Sequence, residues 1–314
     1  MKYFIKKAVT LIITLLFISV ITFAAFSVIP GDASMTRLGT EATPDQIEAL
    51  REEMGLNKPV TERYILWLSD ALRGDFGESY QYEGQQVSAL LADRLPVTVL
   101  LAVISFLMIL VLSVPLGILA AKHSGKWLDT AINQLTQITM AIPSFFLGII
   151  LTYIFGLILK WFQPGLFISP SENLWGSIRY LIFPAAAIAL PKIAMVVKFL
   201  RNSVLSEMPK DYVRTAYSKG SSKNRALSRH ILKNALIQVI TFMTLVVAEI
   251  LAGSIIVEQV FSVPGVGRLL ISAISTRDYP VVQAVVTYVT AVVVIINFVV
   301  DMLYQLADPR VKAA

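Results

Sequence analysis

The uncharged run Ala8-Val-Thr-Leu-Ile-Ile-Thr-Leu-Leu-Phe-Ile-Ser-Val-Ile-Thr-Phe-Ala-Ala-Phe-Ser-Val-Ile29 decides the architecture. A helix needs about 20 mostly apolar residues to cross the hydrocarbon core of a bilayer. This run has that length, and Lys2, Lys6 and Lys7 stand just before it. A signal peptide also begins with basic residues, but the run is too long for an h-region and Pro30-Gly31-Asp32 is a poor small-residue cleavage site, so the reading is a retained first span. Further apolar runs lie near residues 97–121, 130–159, 181–200, 236–261 and 281–306, the second of these long enough to need tilt or a break. The expected fold is an all-α integral membrane protein with six transmembrane helices.

Composition agrees. Of 314 residues, 56% are hydrophobic and only 15% charged, against about 25% charged in a soluble domain. The chain has no cysteine, which excludes disulfides, cysteine-bound metals and thiol nucleophiles. Its two histidines, His123 and His230, each sit beside a basic residue, an arrangement that argues against a histidine metal site or proton relay. The net charge of +6 follows membrane topology rather than a nucleic-acid partner.

Basic residues near span ends are held on the cytoplasmic side. With the N-terminus inside, the cytoplasmic pieces are 1–7, 122–129, 198–233 and 307–314, which together hold sixteen basic residues against the four acids Asp129, Glu207, Asp211 and Asp308. The opposite topology places that excess outside. It also puts residues 31–95, with twelve acidic and six basic residues, in the cytoplasm. Both termini are therefore expected to be cytoplasmic, with a polar extracytoplasmic subdomain after the first helix. The expected divisions are 1–30, an N-terminal transmembrane helix; 31–95, the extracytoplasmic loop; 96–306, a five-helix core with a cytoplasmic loop at 204–235; and 307–314, a tail. Pro115, Pro143, Pro184 and Pro191 lie within or at the edges of spans, where each bends a helix and frees a carbonyl, either to line a pathway or to shape packing.

The most informative polar segment is Asp211-Tyr-Val-Arg-Thr-Ala-Tyr-Ser-Lys-Gly220-Ser-Ser-Lys-Asn-Arg-Ala-Leu-Ser-Arg-His-Ile-Leu-Lys-Asn-Ala235. It reads as two short helices joined at a glycine, with Gly220 as the left-handed C-cap of the first and Ser221 or Ser222 as the N-cap of the second. Arg225, Arg229 and Lys233 recur every four residues and form one basic stripe, while Leu227, Ile231 and Leu232 lie on another face. Such an element either rests on lipid headgroups or docks on a cytosolic partner.

Tyr212-Val213-Arg214-Thr215-Ala216, Lys219-Gly220, Arg229-His230 and Asn234-Ala235-Leu236 resemble the EAA-type coupling loop of ABC importer permeases, in the form typical of the dipeptide/oligopeptide/nickel permease family. The resemblance extends over nearly the whole chain. It takes in Pro30-Gly31-Asp32, Gly55-Leu56 with Pro59, Trp67-Leu68, Gly74-Asp75-Phe76-Gly77, Arg94 with Pro96, Ile142-Pro143-Ser144-Phe145, and Arg201 with Ser203. Towards the C-terminus it includes Glu258-Gln259-Val260-Phe261, Pro264-Gly265-Val266-Gly267, Arg277-Asp278-Tyr279-Pro280 and Asp308-Pro309-Arg310. Arg214-Thr215-Ala216 stands at the register of the Glu-Ala-Ala triplet, so no glutamate-based contact is implied; Tyr217-Ser218 and Gln238 also depart from the usual pattern.

What the resemblance implies is a transmembrane permease subunit of an ATP-driven, binding-protein-dependent importer of di- or oligopeptides, with nickel, metal chelates or glutathione as alternative cargoes. The implied partners are a second homologous permease, two ABC ATPase subunits, an extracytoplasmic solute-binding protein and membrane lipid, with no nucleic acid. The chain has no G-x-x-x-x-G-K-[ST] loop, so it is expected to bind no cofactor and not to be an enzyme, ATP being used by the partner ATPases. Tyr212, Arg214, Ala216, Gly220 and Arg229 are the candidate coupling residues, and no metal site is expected.

Charges inside the membrane are costly, so Lys192, Glu249, Glu258 and Asp301 need an explanation. Glu249 is the deepest; with Lys192 as a candidate partner, it is a pathway residue, half of a structural pair, or a contact with the partner permease. Pro264, Gly265, Asp278 and Tyr279, together with the acidic outer loop, are candidates for docking the binding protein, or else part of a solvated cap. A secondary transporter would also have several spans and buried charges, but would need no coupling loop. Neither an H-E-x-x-H zinc site nor a G-x-S-x-G nucleophile turn is present to suggest a membrane enzyme.

Overall fold

The computed structural model describes residues 2–28, 42–53, 55–82 and 84–307. Pro30-Gly31-Asp32, Asp308-Pro309-Arg310 and the tail lie outside the described residues, as does the side chain of Asp301. Among the described residues the chain is helical, with one isolated antiparallel bridge between Glu78 and Gln86. In order, the helices are α1 (Lys2–Val28), α2 (Pro44–Glu53), α3 (Val60–Leu72), α4 (Val87–Lys122), α5 (Trp127–Ala141) and α6 (Ser144–Leu151). A π-helical segment, Thr152–Ile158, extends α6. Then come α7 (Leu174–Glu207), α8 (Asp211–Ser218), α9 (Lys223–Ala226), a second π-helical segment Leu227–Ile231, α10 (Leu232–Val260), α11 (Val266–Ser275) and α12 (Tyr279–Ala307).

Five of these stretches are long and apolar enough to cross a membrane, and a sixth crossing results if α5 and α6 count as one broken span. The break falls at Ile142-Pro143, where the two halves meet at 95°. Pro143 is extended, with φ −61° and ψ 143°, and stands as the N-cap just before α6, where its missing N–H ends the hydrogen bonding of α5. This is the run whose length demanded tilt or a break. The other intraspan prolines behave differently: α7 continues through Pro184 and Pro191, and α4 through Pro115. Several helices outrun their apolar stretches, α4 beginning at Val87 and α7 running from Leu174 to Glu207, because helical hydrogen bonding does not stop where apolarity does.

The contacts divide the chain into two compact units, residues Met1–Pro96 with Pro264–Phe298, and residues Val97–Val263 with Val299–Ala314. Chain order alone separated the first 95 residues from everything after them; the structure groups α11 and most of α12 with the N-terminal elements. In this first unit Phe23 of α1 lies against Tyr64 and Trp67 of α3, with ring centroids 5.4 and 5.6 Å apart. The Tyr64 hydroxyl also shares a hydrogen bond of 2.8 Å with Ser19. A second cluster packs Val87, Leu90 and Leu91 at the start of α4 on Val266, Leu269 and Ala273 of α11 and Val281, Val282 and Val285 of α12.

The second unit is built around α7, the most enclosed of the spanning helices. α7 packs against α5, α6 and α10. Its buried stretch carries Ala185, Ala187, Ala189 and Ala194, small residues that let helices approach closely. On α4, a side chain at Gly117 would meet Leu200 of α7 at 2.9 Å, so any larger residue there forces Leu200 to shift. Phe199 and Phe242 stack α7 on α10 with rings 4.4 Å apart and 8° from parallel. Large apolar side chains such as Ile13, Phe17, Val111, Leu135 and Leu245 point outward, as on a surface solvated by lipid.

Candidate functional site

The polar element after α7 is assembled from its caps. α8 ends in a Schellman motif: Gly220 N–H donates to Tyr217 O at 2.9 Å and Ser221 N–H to Ala216 O at 3.1 Å. That geometry requires a left-handed residue at the turn, and Gly220 has φ +81°. Of the two serine candidates it is Ser222 that caps α9, its hydroxyl accepting from Arg225 N–H at 3.4 Å. The π-helical segment Leu227–Ile231 follows, an insertion in the helix that apolar periodicity did not announce; such insertions are frequent at functional positions.

The element has two faces. Val213, Ala216, Ala226, Leu227, Ile231 and Ala235 are buried, whereas Arg214, Tyr217, Lys219, Arg225, Arg229 and Lys233 are exposed. Among the coupling candidates, Arg214, Gly220 and Arg229 therefore lie on the outer surface. Arg214 makes only a loose ion pair with Asp211, at 3.7 Å. Tyr212 and Ala216 are not on that surface: Ala216 is buried, and Tyr212, half-buried, donates its hydroxyl to Glu207 Oε2 at 2.6 Å. Their place is to hold the element against the helices behind it.

Glu207, which the sequence offered only as one acid of a basic loop, is the centre of that attachment. It is 2% exposed at the last turn of α7. It accepts from Lys210 Nζ at 2.5 Å and from Gln238 Nε2 of α10 at 3.4 Å, in addition to Tyr212. One carboxylate thus ties together α7, α8 and α10. Burial holds the Tyr212 phenol above its ordinary value of 10.0; the hydrogen bond to Glu207 raises it further and a bond from Asn234 opposes. The phenol consequently stays a neutral donor. Its only advance signal was the spacing of Glu207 and Lys210, three apart at a helix end.

A second connection is Arg201 of α7 to Asp129 in the first turn of α5, with Nε 2.6 Å from Oδ1 and Nη2 2.7 Å from Oδ2. Asp129 is buried and also accepts from Gly125 N–H at 2.9 Å and Asn133 Nδ2 at 2.8 Å. Deeper in the same unit, Lys192 Nζ donates to Glu249 Oε2, joining α7 to α10. Glu258 is fully buried, with Thr98 Oγ1 donating to it at 2.8 Å.

The other candidates belong to the first unit. Asp278 is 1% exposed and Gly265 is buried, while Pro264 and Tyr279 are half-buried. Asp278 presents no surface to a partner; it accepts from Ser79 Oγ at 2.5 Å, Tyr80 N–H at 3.1 Å and Gln81 N–H at 3.3 Å. An acid in a polar loop reads as solvated until the backbone that folds over it is seen. The exposed residues next to Asp278 are Ile274, Ser275, Thr276 and Arg277, the last at φ +57°. Also in this unit is a cleft of about 750 Å³ whose lining includes Phe23, Trp67, Tyr80 and Tyr279 beside Arg51 and Asp70.

Residues 113–313 match the family described as binding-protein-dependent transport system inner membrane component, and residues 1–102 match the N-terminal region of such membrane components. The chain is 36% identical over 308 residues to a putative peptide transport system permease protein of Brucella abortus, covering 98% of both chains. It is 35% identical over 312 residues to an oligopeptide transport system permease protein of Bacillus subtilis, covering 99% of both. It is also similar to a dipeptide transport system permease protein of Alkalihalophilus pseudofirmus, 31% identical over 332 residues and 99% of each chain.

Proposed function

The chain belongs to the family of binding-protein-dependent transport system inner membrane components, multi-pass permeases of the cytoplasmic membrane in ABC transporters, and from that premise we propose that it is a peptide-translocating subunit of an ATP-driven importer. The observation that carries the substrate class is the end-to-end match to relatives described as peptide, oligopeptide and dipeptide permeases. A metal cargo moving from ligand to ligand would want soft or imidazole donors, and the chain has no cysteine and two histidines.

In this reading the element 204–235 is cytoplasmic and docks on an ATPase subunit through its exposed basic face. The sixteen basic residues of the inner segments support that orientation. The same bias puts both termini in the cytoplasm and the acidic residues 31–95 outside, where they and the exposed residues near Thr276 meet a solute-binding protein. Two permeases, this chain and a homologue, flank the pathway above two ATPases. Closure of the ATPases on ATP draws the coupling elements together, and Glu207, anchored to Tyr212, Lys210 and Gln238, passes that displacement to α7 and α10. This is a two-state device biased by whatever differential affinity the nucleotide and the loaded binding protein supply.

The test is uptake of labelled short peptides and, side by side, labelled nickel in cells with and without the gene, before and after ATP depletion. Loss of ATP-dependent peptide uptake alone is expected. Loss of nickel uptake alone sinks the peptide reading, and uptake that follows an ion gradient instead of ATP sinks the importer mechanism.

A further inference from the structure

The ion pair between Lys192 and Glu249 is not sealed. Its side chains keep 19% and 43% of their exposure, and both border a cavity of about 200 Å³ inside the second unit. The cavity lies at the break between α5 and α6, with Pro143, Ser144, Pro191 and Met195 among its walls. Each of these features suits a ligand end. The volume is below the roughly 300 Å³ at which pockets for drug-sized ligands begin, so it admits something small or only part of a larger molecule. Met140 and Met195 are unbranched and adapt to varied shapes. Met140 is exposed and Met195 half-buried.

An intramembrane charge is tolerated when it is paired, and removing one partner leaves the other uncompensated. The pair therefore opens readily only for a ligand that replaces both partners at once. A short peptide with free ends carries one ammonium and one carboxylate, and so leaves the charge balance of the site unchanged. Resting on the peptide reading above, we propose that Lys192 and Glu249 form an exchangeable clamp for the charged main-chain ends of a short peptide, the carboxylate going to Lys192 and the amino-terminal ammonium to Glu249. A peptide blocked at either end strands one charge and is disfavoured whatever its side chains.

The test uses the complete reconstituted transporter and three probes: labelled dialanine, its N-acetyl form and its amide. Each variant is scored by the ratio of free to blocked uptake, and because the same binding protein serves all variants, its own preference cancels in the comparison. Lys192→Gln is expected to reduce the preference for dialanine over the amide by about tenfold, the scale of one charged hydrogen bond, and to leave the preference over the acetylated form. Glu249→Gln is expected to do the converse. In the double variant Lys192→Gln/Glu249→Gln no charge is stranded, so the chain still inserts while both preferences fall. Variants that lower uptake of all three probes by one common factor show a purely structural pair and overturn the proposal, as does a double variant that keeps both preferences. If the unmodified transporter takes up neither these probes nor longer oligoalanines, the peptide reading itself fails; uptake with unchanged ratios removes only the clamp.

Discussion

Arg201 and Asp129 meet through two nearly parallel hydrogen bonds of 2.6 and 2.7 Å, a fork that an arginine makes with a carboxylate and a lysine does not. The pair closes α7 on the first turn of α5, nearly two helical turns before Glu207. Asp129 is additionally filled by Gly125 and Asn133, so its charge is well compensated. Replacing one partner leaves the other in a poorly solvated place, at about 3 kcal/mol. Asp129→Asn and Arg201→Lys should each lower the melting temperature of the purified transporter, and the double variant Asp129→Asn/Arg201→Gln should lose less than the sum of Asp129→Asn and Arg201→Gln. Additive losses would show that the two residues act separately.

At Gly220 the constraint is conformational. Nothing lies within 4 Å of an added Cβ, but φ is +81°, which a β-branched side chain resists by roughly 1–3 kcal/mol. Gly220→Val should abolish transport while leaving the amount of protein in the membrane unchanged, because α8 no longer ends where α9 begins. Gly220→Asn, which tolerates the left-handed region, should retain most of the transport. Equal transport by the valine and asparagine variants, measured as uptake per inserted molecule, contradicts this role.

Asp278 organises the turn at residues 79–82 by accepting from one hydroxyl and two backbone N–H groups. Asp278→Ala leaves these donors without their acceptor, an effect of about 1–3 kcal/mol on that loop. Limited proteolysis of sealed vesicles should show new cleavage between residues 74 and 86, with Asp278→Asn intermediate because it keeps one acceptor oxygen. An unchanged cleavage pattern in the alanine variant would mean the loop is held by other contacts.

The Tyr212 phenol is raised above 10.0, first by burial and then by Glu207. Between the unfolded and folded values the native state binds the extra proton, so this contribution is complete below about pH 10 and fades as pH rises through the folded value. Tyr212→Phe should thus show a shallower alkaline loss of stability above pH 10, and near neutral pH a loss of about 1 kcal/mol from the missing hydrogen bond to Glu207. Thermal stability measured from pH 7 to 11 in both proteins decides this, and parallel profiles would refute it.

The amino-acid sequence by itself determined the spans, since apolar runs of about 20 residues have no other stable solution in lipid. It also determined the Gly220 turn, because left-handed backbone is a local demand that glycine meets at least cost. The exposed stripe of Arg225, Arg229 and Lys233 followed from helical spacing, with Leu227 and Ile231 buried on the opposite side. Lys192, named from the sequence as a candidate partner of Glu249, donates to it. What only the tertiary structure decided were the other pairings between distant segments: Asp129 with Arg201, Glu207 with Gln238, and Asp278 with the turn at Ser79. Such acids read as solvated or merely costly in one dimension, because periodicity states which face a residue occupies but not what faces it. The grouping of α11 and most of α12 with the N-terminal elements was hidden for the same reason. Helix formation is a property of neighbours along the chain, whereas the partner that satisfies a buried charge is supplied by packing.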